Sequence, residues 1–89
     1  MKVAFIGGGN MAGALIGGML QAEFNASEID VLEIDAARRA ELAERHQVCT
    51  HERAGDWLQA SEVIVLALKP QQMRAAAAAI QPYLKQQCV

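Results

Sequence analysis

The sequence predicts an α/β fold built on a doubly wound parallel sheet, and three observations support the prediction. Apolar strand-like runs alternate with helical segments along the 89 residues. Residues 63–68 are apolar at every position, which is typical of a strand buried on both faces of a parallel sheet. A glycine-rich turn at residues 7–9 joins the first predicted strand directly to the first predicted helix. Right-handed crossovers then favour the spatial strand order 3-2-1-4.

The predicted elements follow one another with short connections. The strands comprise residues 2–6, 29–34, 47–50 and 63–68. The helical segments comprise residues 10–22, 36–46, 54–60 and 71–80. Asp35 is a suitable N-cap for the second helix, and Pro70 stands where proline is tolerated at a helix start. Pro82 marks the end of the last helix, and Cys88 with Val89 is interpreted as the start of a further strand.

Periodicity also predicts which side chains face the core. In the second helix, Ala40, Leu42 and Ala43 are expected to face inward. The fourth strand is expected to form a very apolar edge of the sheet. Because such edges pair with other chains, we expect a dimer, an aggregation-prone chain or a part of something larger.

Composition limits the classes of protein to consider. The chain is 53% hydrophobic and 20% charged, which indicates a single globular domain over residues 1–89. Its net charge of −2 argues against a nucleic-acid partner. No apolar run reaches the length of a membrane span, and no signal-peptide pattern is evident. Two scattered cysteines are too few for a disulfide scaffold, so a cytoplasmic protein with free thiols is expected.

The glycine-rich turn carries the clearest chemical signal. Its pattern, Gly7-x-Gly9-x-x-Ala12, follows a strand and opens a helix, the context that a dinucleotide-binding turn of the Rossmann type requires. Gly7 allows the tight turn, Gly9 leaves room for a pyrophosphate, and Ala12 keeps the helix close to the sheet. The helix N-terminus presents unpaired N–H groups to the phosphates. The candidate cofactor-binding residues here are Gly7, Gly8, Gly9, Asn10, Met11 and Ala12.

A second candidate position lies at the end of the second predicted strand. An acidic residue about twenty positions after the glycine turn usually binds the adenosine ribose, and Glu33 and Asp35 are the candidates. A carboxylate there disfavours the 2′-phosphate of NADP. Arg38 and Arg39 open the next helix and are able to hold a phosphate. The alternatives are simple N-capping for Asp35 and a solvated face for the arginines.

A third candidate position is the run Ala67, Leu68, Lys69 and Pro70. Ligands of open α/β sheets bind outside the carboxyl ends of the strands, and Lys69 follows six apolar residues there. Pro70 keeps Lys69 out of the helical region of backbone space. The alternative is an ordinary surface lysine at the end of a strand.

With these positions in order, the chain resembles the N-terminal domain of the pyrroline-5-carboxylate reductase family. The matching segments are IGGGNMAGALIGGML at 6–20 and VIVLALKPQ at 63–71, with Leu68 in place of the usual valine. The resemblance implies hydride transfer from NAD(P)H to 1-pyrroline-5-carboxylate, the last step of proline synthesis. It implies that residues 7–12 hold the pyrophosphate and that residues 67–70 line the ribose and nicotinamide side. NADPH is the expected cofactor. NADH is possible, because this chain has Glu33 and Ile34 near the end of strand two, where many relatives carry small polar or basic residues suited to NADP.

The resemblance also implies what lies outside this sequence. Family members are longer and carry a C-terminal helical domain that forms a dimer and most of the substrate site. We therefore expect residues 1–89 to be an incomplete dinucleotide-binding domain with weak cofactor binding and negligible turnover alone. The full-length form is expected to be a homo-oligomer.

Two other functions remain open from the sequence. One is the cofactor domain of another hydroxyacid- or phosphogluconate-type dehydrogenase, and the other is a nucleotide-sensing module without catalysis. A metal site is not expected, because His46, Cys49 and His51 match no standard zinc spacing. Neither a nucleic-acid nor a membrane partner is expected.

Overall fold

One four-stranded parallel sheet forms the centre of the computed structural model, which describes residues 2–83. The strands are β1 (Val3–Ile6), β2 (Ile29–Leu32), β3 (Cys49–His51) and β4 (Val63–Leu66). The helices are α1 (Asn10–Gln21), α2 (Ala36–His46) and α3 (Pro70–Ile80). Short 3-10 turns cover Ala26–Glu28, Asp56–Ala60 and Gln81–Tyr83. The sheet order is β3-β2-β1-β4, which confirms the predicted fold class and topology.

Alternation along the strands divides the core into two layers. Odd-numbered positions of β1, such as Phe5, face α1 and α2 together with Val31 of β2. Even-numbered positions, such as Ile6, face the other side with Ile64 of β4 and Ile80 of α3. Because successive residues of a strand point to opposite faces, helices cover both sides of the sheet. The carboxyl ends of β1, β2 and β4 meet at one rim, since Ile6 is in register with Leu32 and Leu66.

The strands are shorter than the sequence predicts. β4 ends at Leu66 rather than at residue 68, and of its four residues only Ile64 is fully buried. Among residues 2–83 its only strand partner is β1, so its outer side lacks the cover that a central strand has. β3 begins at Cys49 rather than at residue 47. Gln47 adopts a left-handed conformation, with φ 60°, to end α2, and a strand cannot start from that conformation.

The inward face of α2 is narrower than predicted. Leu42 is buried, whereas Ala40 and Ala43 are exposed. Leu42 is flanked by the half-buried Arg38, Arg39 and His46, and the other residues of α2 are exposed. The reason is that α2 packs against the short β3 at the edge of the sheet and against one side of α1.

Two findings complete the description of the fold. No helix within residues 2–83 is both long enough and apolar enough to cross a bilayer. The further strand predicted to start at Cys88 and Val89 lies outside the described residues.

A pair of isoleucines tests how the core holds this sheet. Ile16 of α1 has no exposed surface, while Ile34 in the loop after β2 is 80% exposed. We expect Ile16→Val to lower the free energy of unfolding by about 0.5–1.5 kcal/mol, because it leaves a cavity the size of a methyl group. The matched change Ile34→Val should stay within about 0.5 kcal/mol of the parent. Urea denaturation followed by circular dichroism measures both, and equal losses would contradict this packing.

Candidate functional site

The glycine turn is wedged between the ends of β2 and β4. Gly7 has a φ of +100°, and its amide donates a 2.8 Å hydrogen bond to the Leu32 carbonyl oxygen. A Cβ on Gly7 would lie 2.6 Å from the Ala67 carbonyl oxygen and 2.7 Å from Cδ2 of Leu68. Only glycine tolerates both the backbone conformation and the close approach. The structure therefore brings the first and third predicted positions into contact.

Gly8 connects the turn to the second predicted position. Its amide donates to Oε1 of Glu33 at 2.8 Å. A Cβ on Gly8 would lie 2.7 Å from Cδ1 of Leu42 and 3.1 Å from Oε1 of Glu33. The turn is thus closed by Leu42 of α2 on one side and by a carboxylate on the other. The Gly8 amide is already paired within the protein.

Gly9 is the N-cap of α1, and the space that a side chain would occupy there holds no protein atoms. It has an extended conformation and no side-chain cap, and a Cβ there would meet nothing within 4 Å. The amides of the first helical turn, at Asn10, Met11 and Ala12, have no acceptor within the helix. Asn10 and Met11 are exposed, while Ala12 is buried against the sheet. Open space above free N–H groups at the positive end of a helix is a suitable anion site.

A cleft of about 200 Å³ lies beside this helix start, between α1 and α2. It is lined by Gly9, Asn10, Gly13, Ala14, Arg38, Glu41, Leu42, Arg45 and His46. Two arginines face one carboxylate here, and Arg38 pairs with Glu41 at 3.5 Å. The remaining positive charge complements an anionic ligand.

The loop after β2 is held together by Glu33 and Arg39. Oε2 of Glu33 accepts from the Asp35 amide at 2.9 Å. Nη1 of Arg39 donates to the carbonyl oxygens of Glu33 and Ile34, at 2.8 and 3.0 Å. Asp35 accepts from the Ala37 amide at 3.1 Å and caps α2, which confirms its N-cap role. The solvated face considered for the arginines is wrong for Arg39, since its guanidinium is bound to this loop.

The residues after β4 form the opposite wall of the site. The Ala67 amide donates to the Ile6 carbonyl oxygen at 2.9 Å, which extends the strand pairing to the rim. Leu68 is half-buried beside Gly7, whereas Lys69 and Pro70 are exposed. Pro70 is the first residue of α3, and Lys69 stands before it in an extended conformation. This geometry places an exposed lysine at the carboxyl end of β4.

Sequence analysis did not identify most of the cleft residues on α2 as candidates for the cofactor site. Arg45, His46 and Leu42 lie with Arg38 on the side of α2 that faces α1. Their spacing of three and four residues is the signal that could have identified them, but it required knowing which face of α2 meets α1. Gly17 of α1 supports this arrangement, because a Cβ there would lie 3.7 Å from Cε1 of His46.

The three residues considered as metal ligands, His46, Cys49 and His51, have different surroundings in the structure. Nε2 of His51 lies 2.9 Å from Oδ1 of the buried Asp30, and its ring stacks on Trp57 with the centroids 3.8 Å apart. His46 lines the cleft between α1 and α2, and Cys49 is exposed. Within the described part of the chain, no three His, Cys, Asp or Glu residues are grouped to hold a metal ion.

Known proteins have sequences similar to that of this chain. A family model described as "NADP oxidoreductase coenzyme F420-dependent" matches residues 2–89. A pyrroline-5-carboxylate reductase from Pseudomonas aeruginosa is 37% identical over 84 residues, or 94% of this chain and 31% of the relative. The same enzyme from Pasteurella multocida is 44% identical over 78 residues, or 83% of this chain and 28% of the relative.

Solved structures agree with the fold. A pyrroline-5-carboxylate reductase from Coxiella burnetii superposes with a TM-score of 0.87 at 26% identity, covering 96% of this chain and 32% of that one. An arogenate dehydrogenase from Synechocystis superposes with a TM-score of 0.84 at 18% identity, covering 100% of this chain and 31% of that one. The second likeness shows the fold alone. The chain spans about a third of the length of these relatives.

Two glycines, one closely surrounded by protein atoms and one with open space beside it, test the turn geometry. We expect Gly7→Ala to destabilise the fold by about 2 kcal/mol or more, because alanine disfavours positive φ and its Cβ would collide with the Ala67 carbonyl. Gly13→Ala lies in α1 with nothing within 4 Å of the new Cβ, so it should stabilise the fold by up to about 1 kcal/mol. Thermal and urea unfolding measure both changes. A Gly7→Ala variant as stable as the parent would show that the turn is not wedged as described.

Proposed function

Since the chain belongs to the family of NADP oxidoreductases described as coenzyme F420-dependent, we propose that it is the NAD(P)H-binding part of a pyrroline-5-carboxylate reductase. The observation that carries the proposal is the open space over Gly9, next to unpaired amides at the start of α1. A Cβ would fill that space, and a pyrophosphate fits there instead. The relatives named as pyrroline-5-carboxylate reductases support the choice of substrate.

The chain's own residues divide the work of binding. Gly7 and Gly8 shape the turn, because they are the positions with no room for a side chain. The amides of Asn10, Met11 and Ala12 bind the pyrophosphate oxygens. Each oxygen of a carboxylate has capacity for about two hydrogen bonds, so Glu33 is able to accept a ribose hydroxyl in addition to its backbone donors.

The wall after β4 positions the reacting end of the cofactor. Ala67 and Leu68 are half-buried beside the turn and exclude water from one side. Lys69 and Pro70 extend that wall at the rim, where the exposed ammonium group attracts anions. When bound, NAD(P)H would supply the hydride for the imine carbon of 1-pyrroline-5-carboxylate, and a proton taken up by the ring nitrogen from solvent would complete proline. Much of the rate of such a step comes from holding the two reactants in a fixed geometry.

The charges at the end of β2 bear on the choice between NADH and NADPH. The resemblance favours NADPH, whereas the placement of Glu33 favours NADH. Its carboxylate is held at the turn by the amides of Gly8 and Asp35, close to where a ribose 2′-oxygen binds in this fold. Arg39 is bound to carbonyl oxygens and Arg38 is paired with Glu41. We therefore propose NADH as the preferred cofactor, with NADPH as the weaker one.

The remaining parts of the proposal concern the protein in the cell. We propose a cytoplasmic enzyme that acts on a small-molecule substrate and assembles as a homo-oligomer in its full-length form. The relatives extend about three times as far as this chain, which is the support for further substrate-binding and assembly residues.

Gly9 provides the direct test of pyrophosphate binding. We expect Gly9→Ala to fold normally, because its Cβ meets no protein atom within 4 Å, and to weaken NADH binding about tenfold or more by obstructing the pyrophosphate. Gly18→Ala is the matched control, since that glycine is equally open but lies toward the far end of α1. Isothermal calorimetry at fixed salt measures both variants. Equal NADH affinity in the two variants would contradict the proposed site.

The cofactor preference has its own test. We expect ADP-ribose to bind about tenfold more tightly than its 2′-phosphorylated form, because Glu33 repels the added charge. The two ligands differ only in that phosphate, so the nicotinamide side does not contribute. Calorimetry at constant ionic strength is required, since salt screens the repulsion. Tighter binding of the phosphorylated form would show that the arginines of α2 read the 2′-phosphate and that NADPH is preferred.

A further inference from the structure

The geometry points to Glu33 as a positioning residue for the phosphate-binding turn, in addition to any contact it makes with a ribose. Its two carboxylate oxygens join two separate backbone segments. Oε1 accepts from the Gly8 amide at 2.8 Å, and Oε2 accepts from the Asp35 amide at 2.9 Å. One side chain thus ties the glycine turn after β1 to the loop after β2. This inference rests on the proposed function.

The surroundings of Gly8 make this link specific. A Cβ on Gly8 would lie within 3.4 Å of both Leu42 and Glu33, so the turn is already in close contact with both side chains. The backbone of Glu33 is fixed as well, because its amide donates to the His51 carbonyl oxygen at 2.9 Å and Arg39 donates to the Glu33 carbonyl oxygen. Glu33 is therefore the fixed end of the link, and the turn is the part that it holds.

Two consequences follow for an anion at the start of α1. The Gly8 amide is occupied by Glu33, so the phosphates are left with the amides from Gly9 onward. The direction of those amides depends on the turn that precedes them, and hydrogen bonds to phosphate weaken steeply with misalignment. Loss of the carboxylate should therefore loosen the turn and weaken anion binding.

The direction in which anion affinity changes when Glu33 is removed distinguishes a positioning role from a purely electrostatic one. If only Coulomb interactions mattered, removing a nearby negative charge would strengthen the binding of an anion, because a repulsion is lost. A residue that only binds ribose has no effect on a ligand without ribose. Positioning alone predicts that a ligand consisting only of phosphate binds more weakly once Glu33 is removed. Inorganic pyrophosphate is the suitable probe.

The experiment compares four proteins by NMR titration of the ¹⁵N-labelled chain with inorganic pyrophosphate and with NADH. They are the parent, Glu33→Ala, Glu33→Gln and the control Glu41→Gln. Glu41 lines the same cleft, and its carboxylate is paired with Arg38. Hydrogen exchange of the Gly8 and Asp35 amides is measured without ligand. Glu33→Gln keeps the size of the side chain and one acceptor oxygen, so it remains informative if Glu33→Ala fails to fold.

The expected result has three parts. Glu33→Ala binds pyrophosphate about tenfold more weakly than the parent, and Glu33→Gln lies between them, because one charge-assisted bond to an amide is lost. Exchange at Gly8 and Asp35 accelerates in both variants. Glu41→Gln binds pyrophosphate more tightly than the parent, because the substitution removes a negative charge from the cleft and frees Arg38 of its partner.

Two results would overturn the inference. If the parent binds pyrophosphate and the Glu33 variants bind it equally or more tightly, the positioning role is wrong while the proposed function stands. If the parent binds neither pyrophosphate nor NADH, the proposed function fails and the positioning role fails with it.

Discussion

The close approach of Gly7 to the ends of two strands is the constraint on which the site depends. Its amide reaches the Leu32 carbonyl, and its Cα lies against the Ala67 carbonyl with no room for a side chain. This close contact of Gly7 with both strand ends determines where the chain turns after β1 and therefore where α1 starts. The helix then presents its first N–H groups over Gly9, while Ala12 and Ile16 anchor it to the sheet with no exposed surface. Packing and the proposed binding site thus share one turn of backbone.

Electrostatics at the turn combine one fixed anion with several cations. The carboxylate of Glu33 is used by the protein itself, through two backbone amides, before any ligand is present. The arginines of α2 that line the cleft, Arg38 and Arg45, lie on the other side of the helix start. A ligand with a diol beside a diphosphate is complementary to this arrangement, because the diol donates to the carboxylate and the diphosphate accepts from amides. The site is thus asymmetric in charge along its length.

Much of the fold could be predicted from sequence because its signals are local. The strand-turn-helix order around Gly7 and Gly9 and the alternation of elements were enough for the topology, which the structure confirms. The strand ends and the face of α2 were not predictable in the same way. Ala40 and Ala43 have helical spacing with Leu42, yet they are exposed because α2 lies over a sheet edge. The bonds of Glu33 to Gly8 and of Arg39 to the loop join residues that only the tertiary fold brings together. Long-range pairing of this kind leaves no pattern in a single sequence.

The account depends on anion binding by backbone amides at the start of α1, and chemical-shift mapping tests it most directly. The ¹⁵N-labelled chain is titrated with NADH, and each amide is followed individually. The account predicts that the largest shifts fall on Gly9, Asn10, Met11 and Ala12, with smaller changes at residues 67–70 and little change toward the far end of α1. Saturable binding whose largest shifts lie elsewhere, with the amides of residues 9–12 unmoved, would contradict it.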